Sequence, residues 1–247
     1  MSTVFDEASR AGGRIGRMPK PTRANAVTLD EALALLHAQG RPEALEGMAR
    51  FGLNGDGRLG LSLPMLRQLG RQIGREHALA MALAASGIPD AQILASLVAE
   101  PALFTVDQMN TWVASLGAWD TCDQACVNAF VRSPLAWGRV PAWAARPAEF
   151  ERRAGFALLA ALAVHDKTAD DERFIRVLPL IEQQAQDERN FVKKAVNWAL
   201  RQIGKRNTTL RPMAIASAER IAAQPSRSAR WIAADALREL RAHSTTP

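Results

Sequence analysis

The chain is expected to be all-α, a solenoid of stacked helix pairs, and three observations carry that expectation. Alanine and leucine dominate, Val and Ile are modest, aromatics make up 6% and tyrosine is absent, a composition that favours helix over strand. No segment sustains an alternating run of β-branched residues. Breaks marked by Gly, Pro or Asn recur about every 10–18 residues along the chain.

Taken in order, a helix over 29–39 closes at Gly40, and one over 41–51 runs to the glycine-rich stretch Asn54 to Gly60. Helices over 62–74 and 76–86 follow, the second stopped by Gly87-Ile88-Pro89, and 89–99 ends before Pro101. Next come 105–117 and 119–132, the latter ended by Ser133-Pro134, then 136–144, ended by Arg146-Pro147. The remaining spans are 147–165, 169–186, 189–205, 207–223 (before Pro225) and 227–242. Short turns between helices make neighbours antiparallel, and stacked pairs build α-solenoids whose concave face suits large ligands. No strict period emerges, so any repeat is degenerate. Residues 1–28 carry Arg10, Arg14, Arg17, Lys20 and Arg23 against Asp6 and Glu7, with little apolar content. They form either a flexible basic tail or an ordinary solvated terminus, ahead of one helical domain over 29–243.

Net charge is +6, so a polyanion is a reasonable partner. Cys122 and Cys126, four apart on one helix, are a reduced pair of small core residues and not a disulfide framework. His37, His77, His165 and His243 are scattered, and no zinc-like spacing occurs. The loop Asn54-Gly55-Asp56-Gly57-Arg58-Leu59 imitates the middle of a calcium loop, but its first and twelfth positions are Gly52 and Leu63. No metal or cofactor is therefore expected. There is no signal peptide, and the longest apolar run, Phe156 to Val164, is too short to span a bilayer. A cytoplasmic monomer is the expectation.

Few residues remain as candidates for chemistry. Trp119 and Asp123 are four apart, one turn from each other on a single helix face. A carboxylate works against affinity in a basic protein, so an Asp123 that faces the ligand is there for chemistry. Alternatively, Asp120-x-x-Asp123 is a helix start, with Asp120 as N-cap. On the 189–205 helix, Val192, Ala195, Val196, Ala199 and Ile203 form the core face at about 100° per residue. Trp198 falls outside it and shares a narrow sector with Lys194, Arg201 and Lys205. Cations beside one large aromatic suit a nucleic acid, with phosphates meeting charge and sugar or base meeting the indole. The same pattern also suits a tryptophan at the core's edge, covered by lysine stems. Residues 189–241 hold twelve Lys and Arg against Glu219, Asp235 and Glu239, a net +9 that concentrates the charge C-terminally. Arg153 shares a sector with Ala157, Ala160 and Val164 on a helix apolar nearly all round, so it needs an anionic partner. That partner is a neighbouring helix, a phosphate, or Asp123 itself.

Trp119-Asp120-Thr121-Cys122-Asp123, then Arg152-Arg153-Ala154, then Phe191-x-x-Lys194-Ala195-x-x-Trp198-Ala199-Leu200-Arg201 resemble the DNA alkylation repair family typified by AlkD-like glycosylases. Met48-Ala49-Arg50-Phe51 and Pro64-x-x-Arg67 also fit, and the similarity runs from about residue 41 to 206. The resemblance implies HEAT-like repeats cradling double-stranded DNA that contains alkylated bases. It further implies hydrolysis of the N-glycosidic bond of cationic purines of the N3-methyladenine and N7-methylguanine types. On it, Asp123 is the catalytic carboxylate, Trp119 and Trp198 contact the lesion's deoxyribose, and Arg153 is a backbone or active-site arginine. Lys194, Arg201, Lys205 and Arg152 are the candidate DNA-contacting cations. Phe150 stands where relatives can carry tryptophan, and the 52–60 segment departs from the pattern. Two rivals are a non-catalytic repeat protein that binds branched or distorted DNA and a protein-binding helical scaffold.

Overall fold

The computed structural model describes residues 27–53 and 57–242; the expected basic tail up to residue 26, positions 54–56 and the stretch from His243 onward lie outside the described residues. Local chemistry sets the helix starts. Thr28 opens α1 (Leu29–Ala38) and Thr105 opens α6 (Val106–Ala114) with reciprocal capping boxes to Glu31 and Gln108. Asp170 accepts from the Arg173 amide at the start of α10 (Asp171–Gln184). Prolines sit in the first turns of α3 (Leu63–Ile73) and α5 (Pro89–Val98), where a missing N–H costs nothing. The remaining helices are α2 (Leu45–Ala49), α4 (His77–Ala85), α7 (Trp119–Gln124), α8 (Ala136–Ala144), α9 (Glu149–His165), α11 (Asn190–Arg206), α12 (Leu210–Ala222) and α13 (Arg227–Ala242).

These bounds follow the expected spans closely, with two corrections. The 41–51 span is a single 3₁₀ turn, Pro42–Ala44, followed by the five-residue α2. The 119–132 span keeps helical character but changes pitch. After α7 it widens into a π turn over Ala125–Ala129 and tightens into a 3₁₀ turn over Phe130–Arg132.

The architecture repeats in two layers. Helices α3, α5, α7, α9, α11 and α13 pack each on the next, forming one continuous layer. Helices α4, α8, α10 and α12 cover the other side, against α5, α9, α11 and α13 respectively or their neighbours. Each pair alone would leave an apolar face in water, and stacking buries those faces as one core. Among the described residues no strand occurs, and no helix is long and apolar enough to cross a membrane.

Helix α9 is the centre of this core, buried continuously from Arg153 to Ala163. Gly155 allows α8 to lie directly on it. A Cβ there would stand 2.7 Å from the Ala144 amide nitrogen and 3.0 Å from the Val140 carbonyl oxygen, both backbone atoms that cannot rotate away. On the α6 side, Phe130 touches Phe104, Trp112 and Trp143 edge-on, with ring centres 5.2–5.4 Å apart. The end of the glycine-rich loop is tied to α5. Buried Asp90 of α5 accepts from the amides of Leu59 (2.8 Å) and Leu61 (2.9 Å).

Gly155→Ala is expected to lower unfolding stability by about 1–3 kcal/mol through overpacking. Urea denaturation checks this; an unchanged midpoint would mean that the α8–α9 contact opens freely.

Candidate active site

Two turns of α7 and the first turns of α9 and α11 meet at one place. Asp123 and Arg153 face each other there in a bidentate pair, Arg153 Nε to Asp123 Oδ1 at 3.0 Å and Nη2 to Oδ2 at 2.7 Å. The remaining terminal nitrogen of Arg153 donates to the Phe191 carbonyl oxygen at 2.6 Å. Of the three partners left open for Arg153, the neighbouring-helix and Asp123 readings therefore both hold. The guanidinium side chain is 6% exposed and the carboxylate 15%. A carboxylate oxygen has a second lone pair beyond the one that Arg153 takes, so Asp123 keeps accepting capacity toward the open side.

That side is a cleft of about 380 Å³, lined by Phe51, Trp119, Asp123, Arg153, Phe191, Lys194 and Trp198. Trp119 is fixed by donating its indole N–H to the Phe51 carbonyl at 3.0 Å. Phe51 itself is 75% exposed, at the end of the short α2. The turn after it is made by Gly52 at φ +72°, where a side chain would be strained. Phe191, whose ring a Cβ on Gly52 would approach to 3.4 Å, packs against Phe150 at 5.5 Å between ring centres. Phe51 and Phe191 belong to the cleft, and sequence reasoning did not assign them a role. Phe51 lies far from Trp119 in sequence, and only the fold brings its carbonyl to the indole.

Electrostatics follow from this burial. Burial pushes the Asp123 carboxyl above its ordinary value, against the charge and hydrogen bonds of Arg153. For Arg153, burial opposes the charged form, but Asp123 outweighs it and the guanidinium holds its proton more tightly than usual. Cys122 and Cys126 are buried free thiols beneath the pair, facing the Phe150 and Ala154 carbonyls at 3.7 and 3.5 Å. Burial raises the Cys126 thiol well above its ordinary value, consistent with small core residues.

The N-cap alternative for Asp120 does not hold. Ala118 occupies the cap position with no side-chain bond, and Asp120 is gripped by Arg58 at 2.8 and 2.9 Å. This pair binds the second half of the glycine-rich loop to α7, while Asp123 turns to α9.

The expected cations divide. Lys194 is exposed at the cleft and forms no ion pair among the described residues. Arg201 and Lys205 lie on the same helix but are drawn to α13. Arg201 pairs with Glu239 (2.5 Å) and Asp235 (3.2 Å), and Lys205 with Glu239 (2.6 Å). In the free protein each therefore already has an acidic partner. Arg152 points away from the cleft, to Asp187 (2.8 Å) and the Arg146 carbonyl (3.0 Å). Burial works against the Asp187 charge, but hydrogen bonds from Arg189 and Arg152 prevail and hold its carboxyl at about 2. Among the described residues no group of three or more His, Cys, Asp or Glu comes together that could hold a metal ion.

Arg153→Ala is expected to destabilise the fold by roughly 3 kcal/mol at neutral pH, by leaving a carboxylate buried and unpaired. A buried acid with a raised folded-state pKa favours the fold when protonated. The deficit relative to wild type should therefore shrink as pH falls through the raised Asp123 value. Denaturation midpoints across acid pH check this; a deficit independent of pH would mean that Asp123 tolerates solitary burial.

The family model described as DNA alkylation repair enzyme matches residues 32–244. No curated protein matches the chain. Among solved structures, one described as a new family of proteins related to the HEAT-like repeat DNA glycosylases, with affinity for branched DNA structures, superposes with a TM-score of 0.70. It is 17% identical, and the match covers 85% of this chain and 94% of the other, which establishes the shared HEAT-like helical fold. With a family match over most of its length and that fold, the chain belongs to the DNA alkylation repair enzyme family.

Proposed function

We propose that the protein is a monofunctional DNA glycosylase that releases cationic alkylated purines, of the N3-methyladenine and N7-methylguanine types, from duplex DNA. The observation that carries this reading is Asp123, locked by Arg153 beside indole-walled open space. An N3- or N7-alkylated purine is already positive and leaves without a general acid. The barrier then lies in positive charge developing on the deoxyribose, as in glycoside hydrolysis. One oriented carboxylate stabilises that charge and holds the attacking water. Trp119 and Trp198 add the attraction of their π faces for a cationic sugar. Arg153 is a positioning residue, and Lys194 at the rim is placed to meet a phosphate.

Non-catalytic binding of branched or distorted DNA is the second reading. The description of the structural neighbour favours it. The two readings separate in one assay, release of free base from duplex carrying N7-methylguanine. Wild type should release base, and Asp123→Asn should be slower by about a hundredfold to a thousandfold while binding DNA at least as tightly. Tight binding without release by the wild type would leave the second reading.

Release should need the ionised carboxylate. Its rate should therefore fall as pH drops through a value above the ordinary 3.8, because burial raises Asp123. A pH–rate profile that stays flat down to 3.8 would remove Asp123 from the chemistry.

Lys194→Ala should flatten the slope of log affinity against log salt by about 0.9, the loss of one phosphate contact. Lys205→Ala should change it less, since Lys205 is already neutralised by Glu239. Equal slopes for the two variants would show that the Glu239 pairing opens on DNA.

A further inference from the structure

Beyond the cleft, the layer that carries it holds a second aromatic exposed to water. Trp231, in the first turns of α13, is 41% exposed. A large indole left this open has no role in the core. Lys193 of α11 extends its ammonium over the ring, 5.4 Å from the centre. Lys193 and Lys194 are adjacent in sequence and so about 100° apart around α11. One turns toward the cleft and the other toward α13, which makes the Trp231 surface the next station beside the cleft on the same layer. Two further cations precede the indole on α13, of which Arg230 donates to the Pro225 carbonyl oxygen at 2.9 Å. Arg227 lies one turn before Trp231, exposed and without an ion pair among the described residues, and Arg230 is exposed beside it. The nearby acid, Glu188, accepts from the Ser226 hydroxyl at 2.8 Å and the Ser228 amide at 3.2 Å, closing the start of α13. These bonds and then the Lys193 charge hold its carboxyl below its ordinary value, so Glu188 offsets part of the Lys193 charge and Arg227 is the less compensated cation.

We infer that Trp231, with Lys193 and Arg227, forms a stacking platform for an unpaired nucleotide of the DNA strand that leaves the cleft. The chemistry singles out this occupant. An indole offers a flat apolar face, which any base can cover but which base-paired, stacked DNA does not present. A nucleotide stacked there carries its phosphate alongside, where Lys193 and Arg227 supply the opposite charge. An intact duplex would use only the cations, whereas a frayed, gapped or forked strand would use cations and indole together. The site thus favours DNA with an unpaired segment over an intact duplex. The inference rests on the nucleic-acid partner proposed above but not on base release, since the platform lies outside the Asp123 cleft.

Fluorescence anisotropy tests it with two probes, a blunt duplex and the same duplex bearing a single-stranded oligothymidine overhang, for wild type, Trp231→Ala and Trp231→Phe. Wild type should bind the overhang probe more tightly. Trp231→Ala should lose about tenfold on that probe, the worth of one stacked base, and nothing on the blunt duplex. Trp231→Phe, which keeps a flat ring, should retain most of the preference. No preference in the wild type, or an equal loss on both probes, would overturn the platform. Preferential binding of an acidic peptide over either DNA would overturn it too. The Asp123→Asn assay stands apart from this one. Base release with no overhang preference would remove the platform alone, and an overhang preference without base release would leave the platform in place and remove the glycosylase.

Discussion

The contact between Asp123 and Arg153 holds the rest of the site together. Arg153 starts on α9, grips the carboxylate of α7 with two nitrogens and the first turn of α11 with the third, through the Phe191 carbonyl. Three successive helices of one layer are pinned by one side chain. Burying two charges is costly, and the cost is offset only where geometry is good and the remaining donors are satisfied. Both conditions are met here. The pair therefore specifies the relative placement of α7, α9 and α11 more than it adds stability, and the cleft walls inherit that placement.

The aromatic walls and the ion pair reinforce each other. Phe51, Trp119, Phe191 and Trp198 displace water from the vicinity of Asp123, which strengthens each electrostatic interaction inside. The same desolvation raises the carboxyl, and Arg153 limits the rise. A lone aspartate in this surround would tend toward its neutral form, and an aspartate in water would interact weakly with any neighbouring positive charge. The observed arrangement lies between these limits. It also explains why a single lysine, Lys194, at the rim is compatible with a carboxylate inside: the inner charge is matched by Arg153 and the outer one is left for a polyanion.

Much of the fold was legible because helix periods and breakers are local signals. Gly87-Ile88-Pro89 and Ser133-Pro134 end helices where they stand, whatever lies across from them. Wheel geometry likewise placed Trp198 and Lys194 off the core face of α11: Lys194 is exposed, and Trp198 both lines the cleft and packs, partly buried, against the core's edge, so the two readings of that indole hold together. It was silent on what each exposed cation would meet. Arg201 and Lys205 share that sector, yet Asp235 and Glu239, four apart on one face of α13, capture them. The acids were visible in the count of charges, but their register against α11 is a tertiary property. Asp120 is a similar case. Its spacing from Asp123 matches a capping motif, and the decisive partner, Arg58, is sixty-two positions away in sequence. Phe51 was hidden for the same reason, since its contribution to Trp119 is a backbone carbonyl that no side-chain pattern announces.

Helix α7 shows how one short segment serves both the site and the core. Trp119 and Asp123 must face the cleft, while Asp120 turns aside to Arg58 and Cys122 faces inward. An ideal helix carried onward from Gln124 would keep that phase. The π turn over Ala125–Ala129 instead takes more residues per turn, which shifts the phase just after the catalytic candidate, and Ala125, Cys126 and Ala129 all fall into the core. The following 3₁₀ turn delivers Phe130 to its aromatic neighbours Phe104, Trp112 and Trp143. Such wide turns exchange the i→i+4 bonding pattern for i→i+5 and are frequent at functional sites. Here the reason is geometric. The first turn and a half of the helix is oriented by the cleft, the remainder by the core, and the change of pitch lets the two orientations coexist on one continuous backbone.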